Sequence, residues 1–253
     1  NVAQLNLGES IYFNEPVLGL IVERLFATVL LAGTSLLFAV GLGVAIGVYT
    51  ARRPESPMSS AATVTSLVGF STPVFYSAIM VIVLFAAKWS LLPVGGMEDV
   101  RYDGNWVGET IDLLQHLILP ALSLGIIYLA IYSRLARASM LEVLESDYIR
   151  TARAKGARER VVVYKHALRN AVIPVVTAAG LQVGNLLSGA LLVEVVFAWP
   201  GVGRLAVDSI FRRDSPTLLG IMIFSSAMVI LANLLTDLVY RIIDPRIRVG
   251  GSR

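Results

Sequence analysis

DYIRTARAKGARERVVVYKHALRNAVIP, residues 147–174, is the one long polar, basic stretch in an otherwise apolar chain. Nine Lys and Arg residues lie between Arg134 and Arg169, and long apolar runs precede and follow this segment. Gly156 divides the stretch into two short segments of helix-forming composition, and it suits a helix C-cap or a hinge. The pattern predicts a structured loop between membrane spans.

The composition excludes most soluble classes of protein. Of the 253 residues, 56% are hydrophobic and only 15% are charged, whereas a soluble domain carries about 25% charged residues. The absence of cysteine excludes disulfides and thiolate metal sites, and two histidines argue against a His-rich metal site. The net charge of +3 does not indicate nucleic acid, because the basic residues flank apolar spans.

Five apolar stretches are long enough to cross a bilayer, which takes about 20 residues. They cover approximately residues 22–50, 62–87, 113–134, 170–196 and 216–240, with a cytoplasmic loop at 135–168. The sequence therefore predicts an all-α, polytopic membrane protein with five transmembrane helices, organised as a single transmembrane domain over residues 1–253.

The distribution of basic residues predicts the orientation of these spans. The loops at 50–55 and 134–169 and the tail after residue 240 hold 15 of the 21 Lys and Arg residues. The positive-inside rule places these segments in the cytoplasm, and we expect a bacterial cytoplasmic membrane. Five spans then put the N-terminus outside, although residues 1–16 lack the features of a signal peptide. We therefore expect a further transmembrane helix upstream.

Polar side chains inside the predicted spans are few. Gln182 and Asn185 lie in the middle of the fourth span, and Glu194 lies near its outer end. Such residues line a polar path, hydrogen-bond between helices or pair with a base at the interface, and the sequence leaves these alternatives open. Walker A, G-x-S-x-G and H-E-x-x-H motifs are absent from the sequence, so P-loop ATPase, serine hydrolase and zincin functions lack support.

The basic stretch combines small and charged side chains. Small residues stand beside basic ones: Ala152, Ala154 and Gly156 beside Arg150, Arg153 and Lys155. A low surface ringed by charge suits docking onto another protein, because small side chains allow close approach. The alternative is a solvated loop whose charges set topology or contact anionic lipid.

Several motifs occur together along the chain. They are Tyr148-Ile149-Arg150-Thr151-Ala152-Arg153-Ala154-Lys155-Gly156, His166-Ala167-Leu168-Arg169-Asn170 with Pro174, Gln182-Val183-Gly184, Gly189 with Glu194, Trp199-Pro200-Gly201-Val202-Gly203-Arg204, Arg213-Asp214, Asp237 with Asp244-Pro245-Arg246-Ile247-Arg248, and Leu7-Gly8-Glu9-Ser10 with Pro16-Val17. This set resembles the ABC-importer permeases of the dipeptide/oligopeptide (nickel) family, B-type branch. The resemblance covers nearly the whole chain and implies a type I importer permease fold.

The resemblance also implies which residues couple the chain to a cytoplasmic ATPase. In that family the loop forms a short coupling helix that carries the EAA motif, and the matching positions are Tyr148, Arg150, Thr151, Ala152, Arg153, Ala154, Lys155, Gly156 and His166. Two positions depart from the general motif: Arg150 stands where the motif has Glu, and Arg169 stands where it has proline. Both departures resemble the peptide-permease branch.

The resemblance implies a non-catalytic membrane subunit of an ATP-driven peptide importer. Its expected partners are a second homologous permease, two ATPases that bind ATP and Mg²⁺, an extracytoplasmic substrate-binding protein and membrane lipid, but not nucleic acid. No cofactor or metal is expected in this chain. We expect the second, fourth and fifth spans to line the passage, with Gln182, Asn185 and Glu194 as substrate-pathway candidates. Nickel or glutathione import, an ion-coupled secondary transporter and a scaffold subunit are the alternatives.

Overall fold

The computed structural model describes residues 7–99 and 105–243, with the side chains of 67, 70, 183–189, 235 and 237–243 left outside the description. Within this part of the chain the helices are α1 (Val17–Arg52), α2 (Pro57–Ser71), α3 (Val74–Val81), α4 (Trp106–Leu144), α5 (Asp147–Ala154), α6 (Glu159–Val161), α7 (Leu168–Ala171), α8 (Ile173–Val196), α9 (Val202–Phe211) and α10 (Ser215–Ile243). π-Helical turns follow α3 (Ile82–Lys88) and α6 (Val162–Ala167). The predicted all-α fold is confirmed.

Three of these helices are long and apolar enough to cross a membrane: α1, α4 and the Ser215–Leu234 part of α10. The 36 residues of α1 extend over about 54 Å at 1.5 Å per residue. Because the hydrocarbon core of a bilayer is about 30 Å thick, α1 continues beyond it. The 24-residue α8 covers most of the predicted fourth span.

The predicted span at 62–87 is not one continuous helix. α2 ends at Ser71, and Pro73 precedes α3 with φ −59° and ψ 138°, outside the helical region. Proline has no N–H to donate to the preceding turn, and it disfavours helical dihedrals in the residue before it. The chain therefore forms two helices here, and the second continues into the π-helical turn Ile82–Lys88.

The residues divide into two compact units. The first comprises Asn1–Ser35, Thr72–Gly125 and Val183–Ile230, and the second comprises Leu36–Ser71, Ile126–Gln182 and Leu231–Arg253. The long helices α1, α4, α8 and α10 each contribute residues to both units. The single transmembrane domain expected from the sequence stays a prediction.

In the first unit, the loop before α1 is fastened to the start of α10 through Asp214. The Asp214 carboxylate accepts hydrogen bonds from the Ser10 hydroxyl and from the Thr217 hydroxyl. Burial raises the pKa of Asp214, but these hydrogen bonds outweigh it and hold the pKa below its usual value. The Arg212 guanidinium lies 3.8 Å from the ring centroid of Tyr12, which is a second contact that holds the same loop.

In the second unit, two glycines bring α1 and α4 into close contact. A Cβ added at Gly47 would lie 2.6 Å from the Ala136 Cβ and 2.7 Å from the Ser133 carbonyl oxygen, and one added at Gly43 would lie 3.0 Å from the Tyr132 Cβ. The G-x-x-x-G spacing places both glycines on one helix face, where small residues let helix backbones approach. This packing holds α1 and α4 together beneath the basic loop.

Candidate functional site

The basic stretch forms a short helix, a glycine turn and a second helical segment. α5 begins directly after α4, and Asp147 in its first turn places a negative charge at the positive end of the helix dipole. The chain then turns at Gly156 and resumes as α6, the π-helical turn Val162–Ala167 and α7. The predicted helix–glycine–helix form is confirmed.

Gly156 ends α5 in a Schellman motif. Its N–H donates to the Arg153 carbonyl oxygen at 2.9 Å, and the N–H of Ala157 donates to the Ala152 carbonyl oxygen at 3.2 Å. Gly156 has φ +79°, and an added Cβ would meet nothing within 4 Å. The glycine is therefore needed for its left-handed backbone, while the space above it is open.

Ile149 anchors α5 to the body of the second unit. Its side chain is fully buried in a cluster whose other members come from α1, α4 and the segment after Gly156: Val48, Ala51, Met140, Val162, Val163, Ala167 and Ala171. Burying one such aliphatic side chain contributes about 1.5–3 kcal/mol. α5 is thus packed directly against the ends of two long helices.

Polar contacts add to this anchor. The Tyr148 hydroxyl accepts a hydrogen bond from Asn170 Nδ2 at 2.8 Å, which ties α5 to α7. Arg153 forms a two-pronged contact with Glu159, at 2.9 and 3.3 Å, across the glycine turn. The hydrogen bonds from Arg153 lower the pKa of Glu159, but the pair is exposed and stabilises the turn only weakly.

The structure places most of the predicted coupling residues on one accessible surface. The exposed ones are Tyr148, Arg150, Thr151, Arg153, Ala154, Lys155 and Gly156, while Ala152 and His166 are half-buried. We call the seven exposed residues the α5 surface. Ala152 was expected in the low surface with Ala154 and Gly156, but it packs against the Ile149 cluster. The reason is helical spacing, because residues three apart share a face.

Sequence reasoning missed Ile149 and two of the contacts that hold the site. Besides the Tyr148–Asn170 hydrogen bond, the Arg52 guanidinium lies 5.8 Å from the ring centroid of Tyr164. A signal for Ile149 was present, since it is the only aliphatic residue larger than alanine in a basic helix of eight residues. Such an isolated apolar side chain indicates the buried face of a short amphipathic helix.

The structure places Glu194 in a buried network at the start of α9. Glu194 Oε2 accepts the backbone N–H of Arg204 at 3.0 Å, and Oε1 accepts the Thr28 hydroxyl at 2.7 Å. Thr28 Oγ1 in turn accepts the N–H of Val202 at 2.8 Å. A Cβ at Gly201 would lie 2.2 Å from Glu194 Cδ. Glu194 is fully buried and caps α9.

The other two pathway candidates lie in α8. Gln182 is half-buried, and the side chain of Asn185 lies outside the described residues. The substrate-pathway assignment of Gln182, Asn185 and Glu194 stays a prediction. Among the residues that the structure describes, no group of three or more His, Asp or Glu side chains is arranged to hold a metal ion.

Comparison of the sequence with known proteins gives consistent matches. Residues 43–249 match the family described as binding-protein-dependent transport system inner membrane component. The dipeptide transport system permease protein DppB of Escherichia coli K12 is 44% identical, over 96% of this chain and 77% of the relative. The oligopeptide transport system permease protein AppB of Bacillus subtilis 168 is 40% identical, over 98% and 77%.

Solved structures of low sequence identity share the fold. The chain matches the inward-facing MetNI methionine ABC transporter with a TM-score of 0.68 at 16% identity, over 90% of this chain and 97% of that one. It also matches an amino acid ABC transporter crystallised with histidines, with a TM-score of 0.66 at 16% identity, over 88% and 94%. The predicted permease fold is confirmed by these matches.

Proposed function

This chain belongs to the family of binding-protein-dependent transport system inner membrane components, and from that premise we propose that the solute it carries is a di- or oligopeptide. The chain is a membrane permease subunit of an ABC importer. The observation that supports a peptide is the 40–44% identity, over nearly the whole chain, to permeases named for dipeptides and oligopeptides.

The α5 surface is the proposed contact with a cytoplasmic ATPase. Its side chains are exposed and mostly basic or small, whereas the opposite face of α5 is held by fully buried Ile149. A force applied to the exposed face is therefore carried through the Ile149 cluster to α1 and α4, because packed interiors transmit displacement rather than absorb it. Movement of these helices alternates the access of the passage.

The remaining parts of the transporter follow from this assignment. The chain works with a second permease, two ATPases and an extracytoplasmic substrate-binding protein. ATP and Mg²⁺ bind to the ATPases, and this chain binds no cofactor and catalyses no covalent step. The basic loop and the C-terminus face the cytoplasm, which the excess of Lys and Arg on that side supports.

Reconstitution of the complete transporter tests the proposal. Proteoliposomes that contain both permeases and both ATPases should transport a labelled dipeptide only under two conditions. ATP must be present on the side of the membrane that carries the ATPases, and the binding protein must be present on the opposite side. Uptake driven by an ion gradient without ATP would overturn the importer mechanism. Uptake of nickel or glutathione in place of peptide would show that the proposed solute is wrong, while the ATP-driven mechanism would stand.

Charge reversal separates the coupling surface from general charge effects. Arg150→Glu with Lys155→Glu alters two exposed basic residues of the α5 surface, and we expect at least a tenfold loss of ATPase association. Arg160→Glu with Arg169→Glu removes equal charge from exposed positions outside that surface and is the matched control. Equal losses in both variants would mean that net charge, and not the α5 surface, attracts the ATPase.

A further inference from the structure

Two neighbouring cavities in the second unit form a groove along α2. The larger has a volume of about 630 Å³ and the smaller of about 340 Å³. They share four lining residues: Ile46, Thr50, Ala62 and Ser66. We call the two together the α2 groove, and its size falls within the range of about 300–1,000 Å³ that is typical of ligand sites.

One end of the α2 groove is basic and carries hydroxyl groups. Arg137 is half-buried, and its Nη1 donates to the Thr63 hydroxyl at 3.1 Å. Arg134, also at this end, is exposed. Among the side chains that the structure describes, neither guanidinium lies within salt-bridge distance of a carboxylate. A guanidinium has five N–H donors, so these two side chains offer more donors than the described contacts use, which suits an anion.

The other end of the α2 groove is apolar and lined largely by small side chains. Ala45, Ala61 and Ala130 leave the space open, and Met58 and Leu129 extend its apolar wall. Ser66, in the shared wall, is already hydrogen-bonded to the Ser133 hydroxyl at 3.2 Å. Hydrocarbon suits this part of the groove, because a polar ligand would lose hydrogen bonds with water there.

We propose that the α2 groove binds an anionic glycerophospholipid. Its phosphate contacts Arg134 and Arg137, and one acyl chain lies in the apolar part beside Ala61. Basic pockets between membrane helices bind anionic lipid head groups by this combination of charge and apolar surface. The assignment of this lipid to the cytoplasmic leaflet rests on the orientation proposed above. In that orientation both arginines lie at the cytoplasmic boundary of the bilayer.

The joined basic and apolar parts favour a lipid over the other occupants. A free phosphate would use the arginines and leave the larger, apolar cavity unexplained. A helix of another protein would need a carboxylate opposite Arg134 and Arg137 at the end of an apolar face. A phospholipid carries both chemical parts in one molecule and is present wherever a membrane protein folds.

Native mass spectrometry of the complete transporter tests the site with defined lipids. We expect the wild type to retain phosphatidylglycerol in preference to phosphatidylcholine. Arg134→Gln with Arg137→Gln should weaken phosphatidylglycerol binding about 30-fold, because each basic residue at a membrane surface contributes about 1 kcal/mol. Arg160→Gln with Arg169→Gln removes the same charge outside the groove and should leave retention unchanged. Equal retention in all three proteins would overturn the proposal.

A second variant tests the apolar part without altering charge. Ala61 is exposed at the groove wall, so Ala61→Trp fills the groove without entering the packed interior, and we expect it to abolish phosphatidylglycerol retention in a folded complex. Inorganic phosphate at millimolar concentration should not displace the lipid. Displacement by phosphate would establish a free-anion site instead, and a cross-link from Ala61→Cys to another chain would establish a protein occupant. Either result overturns the lipid assignment. These readouts do not depend on transport, so they can fail while the importer function stands.

Discussion

At the scale of single residues, Gly156 is required by backbone conformation and not by space. Its φ is +79°, and an added Cβ would meet no atom within 4 Å. For an L-residue with a Cβ, the left-handed region is about 1–2 kcal/mol less favourable in conformational free energy. The difference is smaller for Asn, which tolerates this region. We therefore expect Gly156→Ala to lower the melting temperature of the complex and to weaken ATPase association, with Gly156→Asn closer to wild type.

The comparison of the two Gly156 variants separates two explanations. Asn is larger than Ala, so the order of the effects reverses if the side chain obstructs a docked partner. ATPase association that falls further for Gly156→Asn than for Gly156→Ala would show that surface shape at this glycine matters more than its dihedral angles.

Gly201 shows the opposite requirement, because space decides there. A Cβ would lie 2.2 Å from Glu194 Cδ, inside the buried network that caps α9. We expect Gly201→Ala to destabilise the protein by about 1–3 kcal/mol, as is usual for an overpacked site. Gly41→Ala is the matched control, because Gly41 lies in α1 with nothing within 4 Å of an added Cβ.

Thermal unfolding of the purified complex checks the Gly201 prediction. The melting temperature should fall for Gly201→Ala and stay constant or rise for Gly41→Ala, where alanine favours the helix. Equal melting temperatures would mean that Glu194 moves aside at little cost and that the cap of α9 is dispensable.

At the scale of elements, the proposed coupling role of α5 requires that its buried face stay packed against the second unit. Ile149 is fully buried between the ends of α1 and α4, and truncation of such a side chain costs about 2–5 kcal/mol. We expect Ile149→Ala to leave the α5 surface able to bind ATPase but to lower peptide uptake per ATP hydrolysed. Val161→Ala, which shortens an exposed aliphatic side chain in α6, is the control.

The ratio of uptake to hydrolysis in proteoliposomes measures this coupling. An unchanged ratio in Ile149→Ala, with normal assembly, would show that the cluster around Ile149 does not transmit the movement. Complete loss of ATPase association would instead show that buried Ile149 holds the α5 surface in the position that docking requires.

At the scale of the whole molecule, the distribution of charge predicts the orientation in the membrane. The chain contains no cysteine, so a single introduced cysteine reports its own side of the membrane. We expect Arg160→Cys to react with a membrane-impermeant maleimide only after the inner membrane is opened, and Glu98→Cys to react in intact spheroplasts. Both positions are exposed. Reaction of Arg160→Cys in intact spheroplasts would show that the orientation is the reverse of the one proposed. The α5 surface would then face away from a cytoplasmic ATPase.

Much of the fold and part of the site could be predicted from the sequence because the relevant signals are local. The apolar runs of α1, α4 and α10 exceed the length of a bilayer crossing, and the nine basic residues between Arg134 and Arg169 separate the apolar segments that flank them. Gly156 was predicted as a C-cap or hinge, since left-handed turns after a helix favour glycine. The motifs around these residues indicated the family.

Only the tertiary structure decided what those segments contact. Thr28 and Glu194 are separated by 166 residues along the chain, yet their side chains share a 2.7 Å hydrogen bond. Ile149 is buried by side chains from α1, α4 and the segment after Gly156, and the α2 groove is lined by residues of α1, α2 and α4 that lie far apart in the sequence. Composition and periodicity determine which face of a helix is apolar, but the partner of that face depends on how distant parts of the chain pack.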